Sequence, residues 1–173
     1  MKIEWTWLIT AICIIAFLNR SGYEILKSKR LINSTRSSFM VMFINMLCLW
    51  ASWFTIGVID DKRMLKPMVT THIGLWLIVI GMIIFFVSLV TIKSLENYQG
   101  QLITHGIYAK LRHPMYFSFL LWLVGQVLLF GSLTNLFLSP PFILMILWWR
   151  FLEEKELKAR FKNYSQYQKS TWF

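Results

Sequence analysis

The stretch MYFSFLLWLVGQVLLFGSLTNLFLSPPFILMILWWRFL, Met115 to Leu152, decides the fold. It is apolar almost throughout, and its only charged residue is Arg150, near its end. A helix crosses the hydrocarbon core with about 20 apolar residues, so this run is too long for one crossing. It carries two turn signals, Gly131-Ser132 and Ser139-Pro140-Pro141. The reading that follows is a helical hairpin with its turn near residues 131–135. The two prolines then fall in the second helix and kink it. A turn at Ser139-Pro140 is the alternative.

Working back towards the N-terminus, three more apolar runs appear. Trp5 to Leu18 is short, Phe39 to Ile59 has no charge, and Val69 to Ile92 has only His72 near its start. The first has a weak basic start, Lys2 offset by Glu4, and no small-residue cleavage site follows, so it reads as an uncleaved helix rather than a signal peptide. With the hairpin, the count is five spans. Hydrophobic residues make up 57% of the 173 residues and charged ones 15%. A soluble domain carries about 25% charged residues, so polar surface is scarce here. Nine tryptophans and fourteen phenylalanines suit lipid-facing surface and interfacial belts. The expected fold is an all-α integral membrane protein: about five transmembrane helices, the last two a hairpin, plus a cytoplasmic C-terminal helix. It forms one structural domain with two parts, 1–92 and 93–173. Cys13 and Cys48 both lie in apolar runs without a metal or disulfide spacing, and read as buried fillers.

The net charge of +10 gathers between the apolar runs. That favours anionic membrane lipids as partners over nucleic acid, for which no basic helix or aromatic platform is present. Arg20, Lys27, Lys29, Arg30 and Arg36 fill the first loop. Lys62, Arg63 and Lys66 fill the second, and Lys93, Lys110 and Arg112 the third. The tail from Arg150 holds six more, and Lys2 stands alone at the N-terminus. With the N-terminus outside, 14 basic residues face the cytoplasm and 4 face out, as the positive-inside rule requires. The compact size and short loops point to a prokaryotic cytoplasmic membrane. No ionisable residue lies mid-span, which argues against a pump, proton relay or channel.

Two polar clusters flank the hairpin, LITHGIYAKLRHPMY (Leu102–Tyr116) and RFLEEKELKARFKNYSQY (Arg150–Tyr167). A hairpin returns the chain to the side it left, so the two should be neighbours, both cytoplasmic. Gly106 permits a tight backbone approach. Pro114 fits the first turn of the fourth helix with His113 as its cap. Arg150 and Glu154 share a helix face, and Glu153, Leu157, Phe161 and Tyr164 follow at helical spacing. A loop anchored at the interface by Tyr, His and Arg, with a snorkelling Arg150 and a solvated acidic patch, fits the same residues.

The TxGxY…RHPxY block, followed about forty residues later by EEKEL…F..Y..Y, resembles the isoprenylcysteine carboxyl methyltransferase family, whose wider superfamily includes phospholipid N-methyltransferases. The likeness covers roughly residues 102–167. It implies a membrane-embedded enzyme using S-adenosylmethionine at the cytoplasmic side. By the same resemblance, Leu102, Ile103, Thr104, Gly106 and Tyr108 wrap the cofactor. His113, Pro114 and Tyr116 complete its pocket, and Glu153 contacts it. The implied catalytic residues are Arg150, orienting the acceptor, and Glu154; no metal is implied. Three positions depart from the family pattern. Ser118 replaces a glycine, Phe161 lacks a following glycine, and Trp149 stands where an arginine is usual, with Arg150 beside it. The expected reaction is carboxyl O-methylation of a prenylcysteine-type lipid acceptor drawn from the bilayer. The alternatives are phospholipid N-methylation, for which Glu154 or His113 would take the amine proton, and a non-catalytic protein that binds a lipid or partner.

Overall fold

A computed structural model of the chain describes residues 2–29, 31–32, 35–92 and 102–173. Arg30 and Lys93, which entered the loop charge count, lie outside the described residues. Among the described residues six α-helices follow one another: α1 Lys2–Ser28, α2 Arg36–Ile59, α3 Met68–Ile92, α4 Pro114–Phe130, α5 Leu133–Arg160 and α6 Tyr164–Ser170. A 3-10 turn, Gly106–Ala109, lies between α3 and α4. No strand occurs among the described residues; two isolated bridges pair Arg63 with Ser132 and Leu111 with Trp172.

α1, α2, α3 and α5 are long and apolar enough to cross a membrane. α4, with 17 residues, rises about 25 Å and is shorter than those four. α1 is longer than its apolar run predicts, because the helix continues past Leu18 through an Arg20–Glu24 ion pair one turn apart. α2 starts at a capping box between Thr35 and Ser38. The hairpin turns at Gly131-Ser132, as expected. Gly131 takes the left-handed conformation that ends α4 (φ 67°), and the Ser132 hydroxyl then accepts from Asn135 N to start α5. α5 runs on through Pro140 and Pro141, so no turn forms at Ser139-Pro140.

The loop before α3 clasps this turn. Asp60 accepts from Ser132 Oγ and from Thr134 N at 3.0 Å. Arg63 donates to the carbonyls of Gly57, Val58 and Phe130, and Lys66 to those of Leu128 and Leu129. Both cations thereby satisfy carbonyls that helix C-termini leave unpaired.

α3 and α4 pack antiparallel at very close range. Gly74 faces Gly125 and Leu129, and Gly81 faces Trp122 and Ser118. Small residues let two apolar helices approach where lipid provides no hydrophobic drive between them. The apolar core lies among α1, α2, α4 and α5, with Phe17 stacked on Phe142 at 3.7 Å and Trp53, Leu123, Ile146 and Trp149 around them. Cys13 is buried, but Cys48 is exposed on the outer face of α2, which corrects the expectation that both thiols are buried.

Candidate functional site

The end of the bundle that carries residues 102–116 also receives the C-terminal half of α5, α6 and the last residues of the chain. The 3-10 turn begins at Gly106, whose φ of 59° is left-handed. A Cβ there would lie 3.2 Å from Thr91 Cγ2, so the glycine also lets the loop sit against the end of α3. His113 occupies the cap position of α4, ahead of Pro114, but its side chain makes no cap bond. It turns instead towards α5. The C-terminal segment pins the loop from the other side: Arg112 N donates to Trp172 O (3.0 Å) and Trp172 N to Lys110 O (2.7 Å). Tyr167 Oη donates to Tyr108 O at 2.6 Å.

Glu154 is the hub of this junction. Arg112 Nε and Nη2 and His113 Nε2 all lie 3.2 Å from its Oε1, and Arg150 Nη2 lies 3.6 Å away. Gln168 Nε2 donates to Oε2 at 3.3 Å. Arg112 Nη1 also donates to the carbonyls of Gln168 and Thr171 and to the Thr171 hydroxyl. Two polar stretches 41 residues or more apart are thus joined by buried, charge-assisted bonds. The ring of Phe173 lies 4.4 Å from the Arg150 guanidinium carbon. Burial pushes the His113 ring down to about 4, against the opposing pull of Glu154, so the ring is neutral at pH 7. An ionised carboxylate only accepts, so His113 Nε2 carries the hydrogen towards Glu154 and Nδ1 is the ring's acceptor. That atom lies 3.9 Å from Glu153 Oε2. Burial also raises the hydroxyls of Tyr108 and Tyr164, and takes that of Tyr167 to about 12, so all three stay protonated donors.

Two cavities meet here. A polar chamber is lined by Leu102 and Ile103, by the Glu153, Leu157, Phe161, Tyr164 stripe, and by Arg20, Glu24 and Lys27 of α1. An apolar cavity of about 590 Å³ runs into the bundle between α2, α3 and α4, walled by residues such as Trp50, Met82, Phe85 and Trp122. Arg20, Ile92, Tyr108, Arg112, Tyr116 and Glu153 border both. Glu153, with 45% of its side chain accessible, stands at the junction.

The sequence-derived site residues divide accordingly. Leu102, Ile103, Tyr108, Tyr116 and Glu153 line the polar chamber, and His113 and Pro114 line the apolar cavity. Thr104 and Gly106 are exposed and shape the loop without lining either space. Arg150 and Glu154 line neither cavity and lie behind the wall, in the Arg112–His113 cluster. The α1 residues Arg20, Glu24 and Lys27 went unrecognised in the sequence. Their signal was an ion pair at i,i+4 directly beyond an apolar run, which reads equally as an ordinary helix end.

The fold and this junction define an all-α integral membrane protein with a polar chamber opening onto an apolar one at one end of the bundle. The model of the phospholipid methyltransferase family matches residues 69–164, and the chain belongs to that family. It is similar to a probable protein-S-isoprenylcysteine O-methyltransferase of Oryza sativa subsp. indica, 35% identical over 94 residues, covering 49% of this chain and 46% of that protein. The protein-S-isoprenylcysteine O-methyltransferase of Schizosaccharomyces pombe is 36% identical over 84 residues, 45% of this chain and 34% of that one. The one from Dictyostelium discoideum is 28% identical over 160 residues, 82% of this chain and 62% of that one. The chain spans about half the length of the first of these relatives. No solved structure matches it.

Proposed function

We propose that this chain is a membrane-embedded methyltransferase that uses S-adenosylmethionine and acts on a lipid-like acceptor, with O-methylation of a prenylcysteine-type carboxylate as the leading reaction. The observation that carries the reading is the shared wall: one carboxylate, Glu153, and two tyrosines, Tyr108 and Tyr116, border both a polar chamber and an apolar cavity. The polar groups of the chamber and of its junction with the apolar cavity suit this cofactor. His113 Nδ1 and Glu153 Oε2 are two acceptors 3.9 Å apart, a spacing that an ammonium can bridge. Lys27 and Arg160 offer charge for a carboxylate, and Phe161 and Tyr164 offer aromatic faces for a sulfonium and a purine. When bound, the cofactor supplies the activated methyl group.

The remaining work belongs to the chain. Tyr116 and Glu153 hold the junction open between the two chambers. The apolar walls take a prenyl or acyl tail directly from the bilayer and keep water away from the reacting end. A carboxylate acceptor is ionised at pH 7 and needs no base, so alignment is the main contribution. Arg150 and Glu154, implied as catalytic by the resemblance, are here assigned positioning roles. Their support is that both lie behind the wall, where Glu154 fixes Arg112 and His113. Residues 93–173 form the methyltransferase core and 1–92 its support, although α1 and α3 contribute walls to both cavities and α2 to the apolar one. The cytoplasmic placement of the site rests on loop charge.

A second reading, N-methylation of a phospholipid amine, is favoured by the family description and by Trp149 at the usual arginine position. Labelled S-adenosylmethionine given with a farnesylcysteine analogue, and separately with phosphatidylethanolamine, separates the two. A base-labile product on the first supports the ester; a stable product on the second supports the amine. No cofactor binding under several lipid and detergent conditions would refute both. Glu153→Gln is expected to weaken cofactor binding while leaving the fold intact.

A further inference from the structure

We propose that Arg20, on the first helix, binds the anionic group of the methyl acceptor and sets which acceptors are used. This rests on the methyltransferase reading above. Among the described residues, Arg20 and Arg112 are the two cations that border both the polar chamber and the apolar cavity. A lipid-like acceptor has its tail in the apolar cavity, so its polar end must arrive at that shared wall. An anionic end there meets one of these two guanidinium groups.

Arg112 is built into the structure. Its Nε and Nη2 face Glu154, and its Nη1 serves two carbonyls and a hydroxyl of the C-terminal segment. Turning it towards an acceptor would strip a buried carboxylate and break its bonds to Gln168 and Thr171. Arg20 is placed differently. It lies on α1, one of its partners, Glu24, is on the same helix, and its side chain keeps 16% exposure. Its guanidinium carbon stands 5.7 Å from the Tyr23 ring and 5.9 Å from the Trp149 ring, so aromatic faces hold the plane of the fork at the junction. Glu24 shows that a carboxylate is an accepted partner at this position. An acceptor carboxylate or phosphate presents the same chemistry to the same fork.

The test measures binding of matched anionic and neutral probes to the purified full chain, with S-adenosylhomocysteine saturating. One pair is N-acetyl-S-farnesylcysteine and its carboxamide. The other is lysophosphatidic acid and a monoacylglycerol with the same chain. A charge-assisted contact corresponds to a preference of about 10- to 100-fold for the anion. The wild type is expected to show it in one pair, and the pair identifies the anion as carboxylate or phosphate. Arg20→Gln should bring that ratio to within about 2-fold. Arg20→Lys keeps the charge but not the fork, and should lower the ratio several-fold; it serves as the readout if Arg20→Gln fails to hold S-adenosylhomocysteine. An unchanged ratio in the variant that folds, or no anion preference by the wild type in either pair, overturns the proposal. Absence of methyl transfer to every acceptor would instead overturn the methyltransferase reading, and the binding ratios would still be readable.

Discussion

Replacing Glu154 by glutamine tests whether this residue holds the site together or takes part in its chemistry. The substitution keeps size and one carbonyl oxygen but removes the charge that Arg112, His113 and Arg150 face at 3.2 to 3.6 Å. Breaking a buried ion pair from one side costs about 3–5 kcal/mol, because the partner's charge stays buried without compensation. Arg112 retains three bonds to the C-terminal segment, which soften the loss. The expected cost is therefore about 3 kcal/mol. For a chain of this size, that lowers the midpoint of thermal unfolding by roughly 6–12 °C. The assay is thermal unfolding of the detergent-solubilised chain, run with Arg112→Met and with the double variant. The double variant should cost less than the sum of the two singles, with a coupling of about 1–3 kcal/mol. An unfolding midpoint within 1 °C of wild type, combined with abolished turnover, would refute the positioning role and make Glu154 a chemical participant.

Three further outcomes are expected. In Gly74→Ala the new methyl would sit 2.6 Å from Gly125 O and against Leu129 N, backbone atoms that cannot swing aside, so α3 and α4 must separate at a cost of about 2–3 kcal/mol in unfolding free energy. The His113 ring has a folded value of about 4 against 6.5 when unfolded, so the unfolded chain takes up the proton first. Its contribution to stability is complete above pH 6.5 and is lost as pH falls towards 4; a His113→Asn variant should show a shallower decline of unfolding midpoint over that window. At the other end of the bundle, bonds from Ser132, Thr134 N and Lys62 N outweigh burial and hold the Asp60 carboxyl below its usual range. Asp60→Asn should cost about 2 kcal/mol in a denaturant titration while leaving cofactor binding unchanged.

Much of the fold was legible because membrane crossing imposes length and composition on a sequence directly. The runs ending at Ile59 and Ile92 became α2 and α3 with the same ends, and Gly131-Ser132 became the hairpin turn because glycine accepts the left-handed conformation and serine caps the next helix. α1 was read too short, since a hydropathy run stops at the first charge whereas a helix carries on through a paired Arg20 and Glu24. The Glu153, Leu157, Phe161, Tyr164 stripe was visible as helical spacing, although the helix stops at Arg160 and Tyr164 opens α6. Whether it faced lipid or a chamber was not, because periodicity defines a face without naming what covers it.

By itself the sequence determined an all-α membrane bundle, the hairpin, and the two polar stretches that meet across it. Local propensity, hydropathy and turn chemistry act over short distances, so they can be read along the chain. Only the tertiary structure decided how the two stretches divide their work. It put Glu154 behind the wall with Arg112 and His113, left Glu153 at the junction of two cavities, and brought Arg20 to the same junction from the far end of the sequence. Adjacent glutamates on a helix point about 100° apart, and which of them meets an open space depends on what the other helices place in front of each.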